Sequence, residues 1–146
     1  MRVLGVDLGL KRTGLALSDE LGISVRALPN LAPKSRAEDV TFLLELVREQ
    51  QVGAVVIGLA SLASGDDSAM AKRARGFADA LQAALTAQDL AARVHLLNEH
   101  GTSKAAARRL VDSGTKKSER KAALDGEVAR GLVLEFLEEQ AALARR

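Results

Sequence analysis

Cysteine is absent from the 146 residues, as are tryptophan and tyrosine, and phenylalanine occurs three times. The first absence excludes disulfides and thiolate metal sites and fits a reducing compartment. The second leaves few platforms for base stacking, so a nucleic-acid partner would be held mostly through its phosphates. No apolar run approaches membrane-spanning length, and the N-terminus lacks the charged-then-apolar pattern of a secretion signal. A cytoplasmic protein without membrane contact is expected. Repeats, linkers and low-complexity tracts are missing, so residues 1–146 read as a single domain, long enough to bury a core without staples. Several catalytic kits are missing too: there is no Walker A sequence, no GxSxG elbow and no HExxH. A formal charge of +2 is too small to argue for nucleic acid by itself. Its distribution says more. Lys104, Arg108, Arg109, Lys116, Lys117, Arg120 and Lys121 crowd one stretch, opposed only by Asp112 and Glu119. Such a patch suits a polyanion, although solvated helix faces look the same.

What is present is organised around the opening residues. Val3, Leu4 and Val6 form a short apolar run that ends on an acid, Asp7. Gly9, Lys11, Arg12 and Gly14 follow, and a second apolar and β-branched run covers Thr13 to Ser18. The pattern predicts strand, tight glycine-containing turn, strand. A carboxylate on an interior strand is costly unless it is paired or bound to a metal. With glycines leaving open space beside it, Asp7 points to a site for a cation or a phosphate. The plainer alternative is an Asp bonded to the turn's own backbone.

Downstream, Ile23 to Leu31 reads as a third strand, with Pro29 and Pro33 marking an end or an edge. Ser35 can cap a helix to about Gln51, with Glu38 at the capping-box position and Val40, Leu43, Leu44 and Val47 on one face; Gly53 is expected to stop it. Ala54 to Ile57 is a wholly apolar strand opening into a small-residue loop, Gly58 to Ser68, at the edge where open α/β sheets bind ligands. A helix from about Ser68 to Thr86 carries Met70, Ala74, Phe77, Leu81 and Leu85. Arg93 to Leu97 is a last strand, followed by Asn98, Glu99 and His100. A short helix from Thr102 to about Val111 precedes a polar segment. A final helix, roughly Glu119 to Gln140, has Leu124, Val128, Leu132, Phe136 and Leu137 as its stripe, and Gly126 and Gly131 suggest close backbone packing. The order β-β-β-α-β-α-β-α-α is that of an α/β protein with a mixed sheet.

Three acids sit where a solvated surface does not explain them well: Asp7 ends the first strand, Glu99 follows the last, and Asp125 lies near the buried face of the final helix. If the first and last strands lie near each other, the three can converge. Converging carboxylates repel one another and favour hard divalent cations with oxygen ligands. Two such metals activate water and stabilise the leaving oxygen in phosphodiester cleavage. Each acid also has an ordinary reading. Asp125 can pair with Lys121 at i−4, and Glu99 can be a strand-end loop carboxylate. Lys11 and Arg12 can hold a phosphate or be plain turn residues. Asp19 reads as turn chemistry and Asp66 and Asp67 as helix-start charges. His95 reads as packed or exposed, and His100 as a loop residue. The spacing Asp7-x-Gly9-x-x-x-x-Gly14 is similar to the phosphate hairpin of actin-like ATPases. Those need two domains closing on a nucleotide, and this chain has length for one.

Together these features resemble the YqgF, or RuvX-like, family of ribonuclease H-like proteins, associated with Holliday junction resolution and with 5′-end maturation of pre-16S ribosomal RNA. The similarity covers nearly the whole chain. It rests on Gly5-Val-Asp7-Leu-Gly9-Leu-Lys11-Arg12-Thr-Gly14, on Val56-Ile-Gly58-Leu59 followed by Gly65, on Asn98-Glu99-His100-Gly-Thr102, and on Arg120-Lys121-Ala-Ala-Leu-Asp125. The resemblance implies a mixed five-stranded sheet, three antiparallel strands then parallel ones, flanked by helices. It implies a nuclease in which Asp7, Glu99 and Asp125 are the catalytic, metal-binding acids for Mg²⁺ or Mn²⁺. Lys11, Arg12, Lys116, Lys117, Arg120 and Lys121 would bind the nucleic acid, and ribosomal precursor particles are implied partners. Asn98 stands where the family usually has Asp, His100 where it has Arg, and Ala60 where Pro is common. These departures leave open a contrasting class, a nucleic-acid- or ribosome-binding module without turnover.

Overall fold

The computed structural model describes residues 1–59, 69–98 and 117–145. Along the chain run β1 (Arg2–Asp7), β2 (Thr13–Ser18), β3 (Val25–Leu31), α1 (Arg36–Gln50), β4 (Val52–Leu59), α2 (Ala69–Ala87), β5 (Arg93–Asn98) and α3 (Lys117–Ala144). The strands form one sheet in the order β3-β2-β1-β4-β5. Pairing is antiparallel from β1 through β2 to β3 and parallel from β1 through β4 to β5. This is the expected mixed sheet. The short helix expected from Thr102 to Val111, and most of the loop from Gly58 to Ser68, lie outside the described residues.

β1 is the central strand, and its alternation builds two cores. Leu4 and Val6 join Leu15, Leu17, Val55 and Ile57 beneath α1 and α2, while Val3 joins Ala16, Ala54 and Val56 beneath α3. Both faces of the strand are therefore dry, which is why its sequence is apolar without a polar side. α1 and α2 run parallel: the Arg36 guanidinium lies over Gly76 at one end, and Arg48 donates to the Gln88 side chain over 3.1 Å at the other. Each helix thus returns the chain from the carboxyl edge of the parallel strands to their amino edge.

The helix signals hold with some changes. Ser35 Oγ accepts the Glu38 N–H over 3.1 Å, as a cap should. The stop is different from the expected one. Gln51 itself takes the left-handed conformation (φ 53°) and its N–H turns back to the Arg48 and Val47 carbonyls. Gly53 lies inside β4, where its lack of a side chain leaves room for Met1. The stripe of α2 uses Ala74, Phe77, Leu81 and Leu85 as expected, joined by Ala71 and Ala78, while Met70 is only half-buried. α3 is longer than expected at both ends and buries Val128, Ala129, Leu132, Val133 and Phe136. β3 is an edge strand, and the register irregularity between Thr13 and Leu15 falls opposite Pro29 and Asn30, where a missing ladder donor is tolerated.

Candidate active site

Side-chain alternation puts Val3, Gly5 and Asp7 on the α3 face of β1, and the register Gly5↔Ala16, Asp7↔Gly14 puts Gly14 beside Asp7 on the same face. The helix comes extremely close there. A methyl group on Gly14 would lie 2.1 Å from the carbonyl oxygen of Asp125 and 2.4 Å from its carbonyl carbon. One on Gly5 would lie 2.5 Å from the Ala129 carbonyl oxygen and 2.6 Å from Val133 Cγ2. On the helix side, a methyl on Gly126 would sit 3.0 Å from the Ala27 methyl of β3. Small residues on three neighbouring strands thus form the seat on which α3 rests, and the seat places Asp125 over the end of β1.

The glycines beside Asp7 therefore do not leave open space, contrary to the expectation from sequence. The space at Gly14 is filled by the backbone of α3. At Gly9 it is filled by the turn itself, where an added methyl would meet the Arg12 carbonyl oxygen at 2.1 Å. That tight turn carries Arg12 back towards the sheet. Its Nε donates to Asp125 Oδ2 over 2.8 Å, with the Arg12 and Asp125 side chains 40% and 21% exposed. The ion pair of Asp125 thus comes from a residue on the β1–β2 turn, a pairing that sequence spacing does not signal. Lys11, one residue earlier, is exposed.

The other expected site residues divide as follows. β4 separates β1 from β5, so the first and last strands are not neighbours. The parallel registers Val6↔Ile57 and Ile57↔Leu96 nevertheless bring the carboxyl ends of all three strands to one edge of the sheet. β5 ends at Asn98 on that edge. Glu99, His100 and Lys116 lie outside the described residues. Lys117, Arg120 and Lys121 belong to the first turns of α3, ahead of Asp125 on the same helix. His95 tilts against the Phe136 ring with centroids 4.9 Å apart, a packing role. Asp19 accepts the Ile23 and Ser24 N–H groups over 2.7 and 3.3 Å, the turn chemistry expected of it.

Among the described residues no group of three or more His, Asp or Glu side chains forms a metal cage. Of the three expected acids, Asp7 pairs with Gly14 in the sheet and Asp125 lies on the helix backbone seated against that glycine. Half-buried carboxylate oxygens are a donor type that suits a hard divalent ion. Sequence reasoning singled out both acids. It missed Gly5 and Gly14 as the residues that let the helix approach, although small residues recurring on one strand face were a readable sign of a close neighbour.

A family model described as "RuvX: Holliday junction resolvase" matches residues 1–139. A protein of Anaeromyxobacter sp. (strain K) is 36% identical over 141 residues, covering 97% of this chain and 99% of the relative. One of Pelotomaculum thermopropionicum is 35% identical over 141 residues, covering 96% and 88%. Both bear the name "Putative pre-16S rRNA nuclease". Among solved structures, Thermus thermophilus RuvC bound to a Holliday junction superposes with a TM-score of 0.59 at 19% identity, covering 97% of this chain and 96% of that one. The fowlpox virus resolvase bound to junction DNA gives 0.57 at 13%, covering 96% and 99%. At these identities the likeness speaks for the fold, the ribonuclease H-like fold that the resemblance implied.

Proposed function

The chain belongs to the RuvX family, and from that premise we propose that it is a divalent-metal-dependent nuclease whose task is 5′-end maturation of pre-16S ribosomal RNA. The observation that supports the reading is that Gly14, which pairs with Asp7, also seats the α3 backbone at Asp125, at the sheet edge that receives the end of β5. Asp7 and Asp125, with Glu99 as the third acid, would hold Mg²⁺ or Mn²⁺. When bound, such an ion supplies an activated water and stabilisation of the leaving oxygen. Lys11 on the exposed turn, Arg12 beside it, Lys117, Arg120 and Lys121 at the start of the last helix, and Lys116 before them in the sequence would bind phosphates of the backbone. Lys117, Arg120 and Lys121 precede Asp125 on α3, so a strand held by these cations would pass near that carboxylate. The names of the relatives favour the ribosomal substrate, and ribosomal precursor particles in the cytoplasm are then the setting. Among the described residues no helix is long and apolar enough to cross a membrane.

Junction-DNA resolution is the second reading, favoured by the description of the family and by the resolvase fold. The test is cleavage of labelled single-stranded RNA, single-stranded DNA and a four-way junction, in Mn²⁺ or in EDTA, by wild type and Asp7→Asn. Metal-dependent cuts in RNA that vanish in the variant are expected. Preferential cutting of the junction would move the task to recombination. Binding without cutting, unchanged by Asp7→Asn, would overturn the nuclease and leave a nucleic-acid-binding module.

A further inference from the structure

We propose that Arg12 competes with the metal for Asp125 and is handed over to the nucleic-acid phosphate once the metal binds. The inference rests on the reading of Asp125 as a metal ligand. In the ion pair the Arg12 Nε sits 2.8 Å from Asp125 Oδ2, so a divalent ion on that carboxylate would lie within about 5 Å of a guanidinium charge. Repulsion between a double and a single positive charge at that distance is twice that of two unit charges. The backbone of Arg12 lies close against Gly9. The side chain is 40% exposed, so relief comes from the side chain swinging outward. Without metal the same guanidinium has a use. It offsets the charge of Asp125 where the helix brings that carboxylate over the end of the strand bearing Asp7. Once displaced, it still presents several planar N–H donors at the mouth of the site, the geometry that matches a phosphate. Metal binding and nucleic-acid binding are then coupled through one side chain, and the coupling is reciprocal.

The experiment measures Mn²⁺ affinity calorimetrically, without nucleic acid, for wild type, Arg12→Ala and Asp125→Asn. It also measures fluorescence anisotropy of a short labelled single-stranded RNA in Ca²⁺ and in EDTA, with a thermal melt of each variant as the folding control. Arg12→Ala is expected to bind Mn²⁺ about three- to tenfold more tightly than wild type, as an exposed ion pair and its repulsion of the metal are removed. It is also expected to lose most of the Ca²⁺-dependent gain in RNA affinity while changing little in EDTA. Unchanged or weaker Mn²⁺ binding by Arg12→Ala overturns the competition and makes the guanidinium a support that orients Asp125. Equal loss of RNA affinity with and without Ca²⁺ overturns the hand-over. If Asp125→Asn keeps wild-type Mn²⁺ affinity, the metal-ligand reading fails and this proposal with it. If Asp125→Asn loses Mn²⁺ but Arg12→Ala gains nothing, this proposal fails alone.

Discussion

Replacing Gly14 by alanine puts a methyl group where the backbone of α3 already is. The added carbon would stand 2.1 Å from the Asp125 carbonyl oxygen and 2.4 Å from its carbonyl carbon, against an ordinary contact of about 3.5 Å. The obstructing atoms are backbone, so no rotamer change relieves the clash, and the helix must retreat by about 1 Å. Two consequences follow from one displacement. Ala129, Leu132, Val133 and Phe136 lose contact with Val3, Ala16 and Val56 across the second core. Overpacking of this kind costs about 1–3 kcal/mol, which for a domain of this size lowers Tm by about 3–10 °C. Asp125 also moves away from Asp7, and a displacement of about 1 Å in a reacting constellation costs on the order of 100-fold in rate. Gly5→Ala is the companion variant. Its clash falls on Ala129 and Val133, a turn or more beyond Asp125, so it should lose comparable stability and keep more activity. The assays are a thermal melt and cleavage of labelled single-stranded RNA in the presence of Mn²⁺. A Gly14→Ala protein that melts like wild type and cuts at the full rate would refute the idea that helix contact on this glycine sets the site.

Two further predictions concern stability alone. Ser35→Ala removes the side chain that caps α1 through the Glu38 N–H and should cost about 1 kcal/mol in a urea titration; an unshifted midpoint would contradict the cap. Asp19 offers a pH test. Desolvation raises its pKa, but the N–H bonds from Ile23 and Ser24 outweigh that and hold the carboxyl below the usual carboxylate range. A depressed folded pKa contributes stability that is present above the unfolded value and lost as pH falls through the folded one. Denaturant midpoints measured downward from about pH 5 should therefore fall less steeply in Asp19→Asn than in wild type, and parallel curves would count against the turn's role.

Elements whose signals are local were legible in the sequence. The Ser35 cap, the apolar face of α2 and the strand pair around Asp7 and Gly14 all follow from residues within a few positions of one another. The acids at 7 and 125 stood out in the sequence because a carboxylate at the end of an apolar strand or against a helix's buried stripe is chemically anomalous. What connects them did not. Whether a glycine is an open space or a seat for a helix depends on what lies above it, and the part of α3 above Gly14 arrives late in the chain. A partner of Asp125 was hidden for the same reason: spacing on a helix proposes Lys121 at i−4, whose side chain lies outside the described residues, and gives no sign of the ion pair to Arg12 on a distant turn. The stop of α1 shows a smaller failure, since Gln51 accepts the left-handed conformation and leaves Gly53 to the strand.

The contact between Arg12 and Asp125 spans 113 residues, and this has a consequence for biosynthesis. The strand bearing Asp7 is made before α3, and its antiparallel partners follow it at once, so the three-stranded half of the sheet can pair during translation. α3 is made after all five strands. Until then the chain holds one acid of the pair without the other, and its second core lacks the helix that closes it. A fragment truncated before α3 is therefore expected neither to cut nor to bind metal, which a cleavage assay and Mn²⁺ calorimetry on that fragment would check. That order of synthesis ties assembly of the candidate site to the arrival of the helix.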